Sequence, residues 1–207
     1  MTITGRDTRD RILREAASLY RRNGFHGTSM QDLADVVGIT KSSLYHHYPS
    51  KQALLAEIVE ATMERVGPQV RSAAESDRPA GERLHLAVRL HTVEAIRDQD
   101  AVACFIEEGR HLAPTYLEAH VAKRDRYERY FRRIIEEGVD SGEFRPLDVP
   151  LTAMAILGLC NSVVRWFRPE GDHTPEEIAD EFADLAVRGM AAETSTVMWE
   201  AGHDRGA

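Results

Sequence analysis

The chain has 207 residues, of which 43% are hydrophobic and 29% are charged, a composition that excludes an intrinsically disordered chain. Its net charge of −8, taken over the whole chain, argues against nucleic-acid binding. The sequence shows no secretory signal and no apolar run of the roughly 18 residues that span a membrane, so we expect a cytoplasmic protein without a membrane partner. Cys104 and Cys160 lie in apolar stretches, which indicates buried, reduced thiols.

The charge is unevenly distributed along the chain. Residues 1–52 carry eight Lys and Arg against five Asp and Glu, a net charge of +3, whereas the remainder carries 18 against 29, a net charge of −11. A basic segment attached to an acidic body is typical of a protein whose one end binds a polyanion. The asymmetry therefore favours nucleic-acid binding at the N-terminal end.

Helical periodicity dominates the chain and no segment alternates as a strand does, so the predicted fold is all-α. Three helices are expected first, at about Thr8–Asn23, Ser29–Gly38 and Thr40–Pro49. Each ends where glycine or proline interrupts the apolar pattern. The second helix, a turn with glycine and the third helix have the spacing of a helix-turn-helix.

Six longer helices are expected to follow. Ser50 begins the fourth, and Gly67-Pro68 should kink or break it. Apolar residues at helical spacing predict the others at about Glu82–Arg97, Ala101–Leu112, Thr115–Val139, Val149–Phe167 and after the cap residue Thr174. Small residues on the last two helices predict a homodimer interface, with packing inside one subunit as the alternative: Ala153, Ala155, Gly158, Ser162, Ala179, Ala183, Ala186 and Gly189.

Short hydroxyl side chains, aromatic rings and cations crowd the third helix. A helix that lies in the major groove needs short side chains to reach phosphates and base edges, and cations to neutralise phosphate charge. Lys41 and Lys51 bracket this helix, and Thr28 stands at the N-terminus of the second helix, where a phosphate is favoured. The alternative is that these residues are solvated helix caps and that Tyr45 belongs to the core.

The segment Gly24–Leu55, GFHGTSMQDLADVVGITKSSLYHHYPSKQALL, resembles the N-terminal domain of tetracycline-repressor (TetR) family regulators. The resemblance implies a dimeric repressor with a helix-turn-helix domain over residues 1–52 and an effector-binding and dimerisation domain over residues 53–207. It implies double-stranded, near-palindromic operator DNA as a partner. It places the DNA contacts on Thr28, Thr40, Lys41, Ser42, Ser43, Tyr45, His46, His47 and Lys51. Ser42 departs from the glycine that is common in the family.

The segment Val163–Met190 looks like a TetR subgroup that includes repressors of fatty-acid and sterol catabolism, several of which respond to acyl-coenzyme A (acyl-CoA) thioesters. The implied effector is a small hydrophobic or acidic molecule, and no metal or cofactor is expected. Aromatic, soft and embedded polar residues of the fourth to eighth helices are its candidate contacts. They are Met63, Phe105, Arg110, His111, Tyr127, Asn161, Arg165 and Trp166.

Asn161, Arg165 and Arg168 share one helical face and suggest a collar for an acidic ligand. The alternative is that the arginines cap the last carbonyl groups of their helix.

A different class of function is suggested by two Glu-x-x-His pairs, Glu82 with His85 and Glu108 with His111. Such pairs occur in di-iron carboxylate helical bundles, so the alternative is an oxidoreductase. This alternative gives the basic N-terminal segment no role. The sequence therefore favours a regulator that is not an enzyme.

Overall fold

A computed structural model describes the backbone of residues 5–192 and the side chains of residues 7–192. The end of the predicted effector domain, residues 193–207, lies outside this range. Within it the all-α prediction is confirmed, and an isolated bridge joins Phe144 to Ala191. The helices are α1 (Gly5–Asn23), α2 (Met30–Val37), α3 (Lys41–His47), α4 (Lys51–Ala74), α5 (Ala80–Arg97), α6 (Gln99–Glu108), α7 (Pro114–Asp140), α8 (Val149–Trp166) and α9 (Pro175–Met190). A 3₁₀ turn, Gly109–His111, follows α6.

Local signals set most helix ends, as the sequence predicts. The hydroxyl of Ser29 accepts a hydrogen bond from the Asp32 N–H, and the Asp32 carboxylate accepts one from the Ser29 N–H. Thr174 and Glu177 form the same reciprocal cap at the start of α9. Gly38 ends α2 in the left-handed conformation at φ 72°, where glycine avoids the cost of a Cβ atom.

Helix α4 runs unbroken through Gly67 and Pro68, so the predicted break is wrong, whereas the predicted kink stays a prediction. Pro68 lacks an N–H and removes one backbone hydrogen bond from the helix. Val66 and Val70, on either side of the proline, are buried in the core of the body. The helix continues because packing on one face compensates for the missing bond.

Two main cores organise the described residues. The head core joins α1, α2, α3 and the start of α4, and it includes Ala101 and Cys104 of α6. The body core lies between α4, α5, α7, α8 and α9, with Phe131, Ile134 and Ile135 fully buried. Because α6 contributes to the head core, movement of α6 and movement of the head are mechanically coupled. Cys104 and Cys160 are buried free thiols, as predicted.

Four of the eight small residues proposed for the dimer interface pack inside the subunit. Ala153, Ala179, Ala183 and Ala186 are buried, and α9 lies along α5. Their small side chains allow this close approach between helices of one chain, which corrects the prediction that they face a partner. Ala155, Gly158 and Gly189 are exposed, and Ser162 is half-buried.

Helix α8 has 18 residues with a mean hydropathy of 1.3, and only 28% of it is buried inside the subunit. It is therefore long and apolar enough to span a membrane by length and composition alone, which the sequence analysis did not anticipate. Core and interface helices of water-soluble proteins have the same composition. Large apolar side chains exposed on α8 and α9 are Leu151, Met154, Trp166 and Leu185, and we call them the α8–α9 apolar face.

Candidate DNA-binding and effector sites

Helix α3 is fixed by two buried side chains and presents the remainder to solvent. Leu44 is fully buried and Tyr48 is 3% exposed, so these two anchor the helix to the head. The Thr40 hydroxyl accepts a hydrogen bond from the Ser43 N–H and caps the helix. The predicted contacts on the solvent side are the exposed Thr40, Lys41, Ser42, Tyr45 and His46 and the half-buried Ser43 and His47. This polar surface has the side chains that a groove-binding helix needs.

Two predicted DNA contacts point into the head instead. The Lys51 ammonium donates to the carbonyl oxygens of Phe25 and Thr28 at 2.6 and 2.7 Å and lies 4.4 Å from the centre of the Phe25 ring. Partial burial lowers its pKa. Thr28 is 2% exposed, and its hydroxyl donates to the Gly24 carbonyl. Both side chains hold the loop between α1 and α2, which corrects their assignment to DNA.

A polar junction connects this loop to the end of α6. The Phe25 N–H donates to Glu108 Oε2 at 3.0 Å, and His26 Nε2 lies 3.2 Å from His111 Nδ1. The Gln52 amide donates to the His111 carbonyl and accepts from the Ala113 N–H. Arg110 contacts His111 here. Arg110 and His111 therefore belong to the head–body junction, which corrects their assignment to the effector.

The body contains a partly open cavity of about 300 Å³ between α4, α5, α6, α7 and α8. Its lining is mainly apolar. Four predicted effector contacts, Met63, Phe105, Tyr127 and Asn161, lie on its wall. Val102 and Phe105 bring α6 to the cavity, so the helix that packs in the head core also lines the effector site. A small, mostly apolar cavity with a few polar groups is typical of a ligand-binding site.

A polar chain of the buried Tyr127 and the half-buried His91 and Asn161 lies along the cavity wall and includes a residue that sequence analysis missed. His91 Nδ1 lies 2.8 Å from the Tyr127 hydroxyl, and His91 Nε2 lies 3.0 Å from Asn161 Oδ1. Burial lowers the pKa of His91 to about 4, although the Asn161 hydrogen bond opposes that shift. The imidazole is therefore neutral at pH 7. His91 lies on an apolar helix, the same signal that pointed to Asn161.

A second, larger depression of about 680 Å³ lies between α4 and α7, and we call it the outer groove. Met63 and Tyr127 line both the outer groove and the cavity, so the two are adjacent. The groove is lined by three cations, Arg71, Lys123 and Arg126, and by two carboxylates, Glu64 and Glu75. Arg71 is paired with Glu75 and Lys123 with Glu60, whereas Arg126 has no partner among the described residues. The outer groove therefore offers positive charge beside an apolar cavity.

The predicted collar of arginines does not form. Asn161 lies on the cavity wall, but the side chain of Arg165 is 74% exposed and lies 3.8 Å from Glu107. Trp166 is 47% exposed and donates to the Ser162 hydroxyl. Arg168 is also exposed. Arg165 and Trp166 thus lie on the outside of α8, which corrects their assignment to the effector.

The residues of the di-iron alternative do not converge. His85 lies 3.3 Å from Asp184, while Glu108 and His111 belong to the head–body junction. Within residues 5–192 no group of three or more His, Cys, Asp or Glu side chains is placed to hold a metal ion. The oxidoreductase alternative is not supported.

The exposed polar surface of α3 and the mainly apolar cavity of the body are the features expected of a helix-turn-helix regulator with a ligand-binding body. Residues 12–58 match the family model for bacterial regulatory proteins of the tetR family, and residues 77–190 match the tetracyclin repressor-like C-terminal domain. The chain therefore belongs to the TetR family of transcription regulators and is not an enzyme.

Known proteins resemble the chain over most of its length. The transcriptional repressor KstR2 of Mycobacterium tuberculosis is 28% identical over 188 residues, which cover 89% of this chain and 94% of KstR2. The regulator PfmR of Thermus thermophilus is 36% identical with a TM-score of 0.79, covering 86% of this chain and 98% of PfmR. AibR, crystallised with isovaleryl coenzyme A and operator DNA, is 29% identical with a TM-score of 0.77, covering 86% of this chain and 97% of AibR.

Replacing Lys41 and Lys51 should give different results because only Lys41 is free to contact phosphate. Lys41→Ala should weaken binding to specific and random duplex alike and lower the salt slope by about one unit, without changing stability. Lys51→Ala should destabilise the head by roughly 1 kcal/mol, since two carbonyl groups lose their donor. Fluorescence anisotropy over a salt series and urea unfolding measure the two effects. If Lys51→Ala is as stable as wild type but has a reduced salt slope, Lys51 contacts DNA after all.

The half-buried His91 should make stability depend on pH. Its folded-state pKa of about 4 lies below its ordinary value of 6.5, so the unfolded chain binds the proton first as pH falls. The free energy of unfolding should be highest above pH 6.5 and should fall by at most about 3 kcal/mol between pH 6.5 and about 4. Urea unfolding of wild type and His91→Asn across this range measures the loss. Equal pH dependence in the two proteins would contradict a neutral, half-buried imidazole.

Proposed function

We propose that this chain is a dimeric, cytoplasmic repressor that binds a near-palindromic operator through α3 and is released by an acyl-CoA thioester. We retain residue 52 as the proposed end of the DNA-binding domain, with the effector-binding and dimerisation domain after it. The observation that carries the effector assignment is an apolar cavity beside a cationic groove. An acyl-CoA has the matching chemistry, an apolar acyl chain joined to a phosphate-bearing nucleotide.

Similarity to AibR supports the same ligand class, because that protein was crystallised with isovaleryl coenzyme A and shares this fold over 86% of the chain. In our proposal the acyl chain occupies the cavity, and the phosphates lie in the outer groove near Arg71, Lys123 and Arg126. Arginine and lysine are the side chains that bind phosphate groups. The acidic part of the effector therefore lies between α4 and α7 rather than at Arg165.

Helix α6 supplies the coupling between effector and DNA. Its residues Val102 and Phe105 line the cavity, while Ala101 and Cys104 pack in the head core. Asp100, at the start of the same helix, binds Arg21 of α1 at 2.8 Å. A ligand that fits one arrangement of α6 better than another shifts the population of head positions by its difference in affinity.

The α8–α9 apolar face is the proposed dimer interface. Leu151 is 60% exposed and Leu185 is 58% exposed, and apolar side chains of this size are stabilised by burial. A two-fold axis at this face would place two α3 helices on successive major grooves about 34–36 Å apart. Dimerisation is thus required for specific binding because one half-site alone is weak.

Isovaleryl-CoA should release the protein from a duplex that carries the promoter of its own gene. Arg126→Glu should raise the concentration needed for half-release roughly tenfold, because the variant loses a phosphate contact. Arg129→Glu is the matched control, since Arg129 is exposed on the same helix but does not line the groove. Gel-shift titration measures release. If the two variants respond equally to isovaleryl-CoA, the phosphates do not bind in the outer groove.

Leu151→Glu combined with Leu185→Glu should give a folded monomer that no longer binds its operator specifically. The charges cannot be buried without partners, so they oppose association while leaving the subunit core intact. Sedimentation velocity and circular dichroism measure assembly and folding. Ala183→Glu serves as a contrast, because a charge at this buried position should unfold the subunit instead. A double variant that remains a dimer would place the interface elsewhere.

A further inference from the structure

The residues that line the cavity indicate which acyl group it accepts. We infer that the site selects a short acyl thioester whose carbonyl oxygen accepts a hydrogen bond from the side-chain amide of Asn161. This inference rests on the proposed function and specifies which part of the effector the cavity recognises. Three independent observations carry it: the donors left over by the polar chain, the charges on the wall and the volume of the cavity.

The polar chain of Tyr127, His91 and Asn161 always leaves a donor facing the cavity. A neutral imidazole has one N–H and one acceptor nitrogen. If Nε2–H donates to Asn161 Oδ1, the Tyr127 hydroxyl donates to Nδ1 and both amide N–H groups of Asn161 are free. If the amide is turned round, one N–H is used on the imidazole and the other is still free.

Asn161 Nδ2 has no hydrogen-bond partner among the described residues, and Asn161 lies on the cavity wall. Asn161 is half-buried, so water reaches this donor in the free protein, and a ligand that displaces the water loses a hydrogen bond unless it supplies an acceptor. The Asn161 side chain therefore favours a ligand that has a hydrogen-bond acceptor at this position in the cavity. A thioester carbonyl oxygen is such an acceptor, and it carries no charge.

The charges on the wall oppose a free carboxylate in the same position. Glu94 and Glu128 line the cavity, held by Arg65 and Arg132. Arg124 is the only cation among the lining residues, and its side chain is 56% exposed. A desolvated carboxylate would face two carboxylates and a neutral imidazole, which disfavours it. The cavity thus accepts a neutral acyl group.

The volume of the cavity, which is partly open to solvent, favours a short acyl group. A cavity of about 300 Å³ holds on the order of ten non-hydrogen atoms, if each takes the roughly 30 Å³ of a liquid water molecule. Acyl groups from butanoyl to octanoyl, linear or branched, fit this limit. A palmitoyl chain or a four-ring sterol skeleton exceeds it.

The test compares hexanoyl-CoA with S-hexyl-CoA, a thioether that has the same chain but no carbonyl oxygen. Wild type should bind the thioester about tenfold more tightly by isothermal titration calorimetry, the value of one hydrogen bond. In Asn161→Leu the two ligands should bind equally. Loss of fold alone would weaken both ligands together, and the thioether therefore controls for a structural effect.

Chain length and charge are tested on wild type with butanoyl-, hexanoyl-, decanoyl- and palmitoyl-CoA and with the free acids. Short thioesters should bind most tightly, and free hexanoate should bind far more weakly than hexanoyl-CoA. Equal binding of thioester and thioether to wild type, or tightest binding of palmitoyl-CoA, overturns this inference while leaving an acyl-CoA effector in place. If no CoA compound binds or releases DNA, the proposed function itself fails.

Discussion

Helix α6 is packed on both sides, and this double contact is the constraint on which the regulator depends. Ala101 and Cys104 belong to the head core, whereas Val102 and Phe105 line the effector cavity. A short helix held in this way cannot adjust to a ligand without changing its contacts with the head, because close-packed interiors do not deform continuously. The head–body junction at Phe25 and Glu108 extends the same connection to the loop that precedes α2.

The two sites use polar groups in opposite ways. On α3 the polar side chains remain in solvent, where DNA replaces water, and only Leu44 and Tyr48 are buried. In the cavity Tyr127 is buried and His91 and Asn161 are half-buried, and the three side chains satisfy one another except at the amide nitrogen of Asn161. Unpaired polar groups in a low-dielectric site discriminate between ligands more strongly than apolar contacts do, because a mismatched ligand leaves them unsatisfied.

The cations of the outer groove and the apolar lining of the cavity lie in adjacent but separate places. This arrangement suits the amphipathic effector that we propose. The outer groove holds Arg126, which pairs with no side chain in residues 7–192, and the charged residues that line the adjacent cavity are paired. The phosphates of the proposed ligand therefore remain in contact with solvent and with flexible cations, while the acyl chain gains from burial. Helix α8 contributes to both surfaces, since Asn161 lines the cavity, Leu151 belongs to the proposed dimer interface and Met154 belongs to both.

The sequence by itself determined the features that depend on neighbouring residues: the reciprocal caps at Ser29 and Thr174, the helix-turn-helix spacing and the basic N-terminal segment. It also pointed to Asn161, because a polar group on an apolar helix needs a partner, and to Tyr127 as an aromatic residue of the cavity helices. Only the tertiary structure decided which contacts they make, since His91 lies 36 residues from Tyr127 and 70 from Asn161 along the chain. The same reason explains the inward Lys51, the outward Arg165 and the unbroken α4. In each case contacts between distant helices outweighed the local signal.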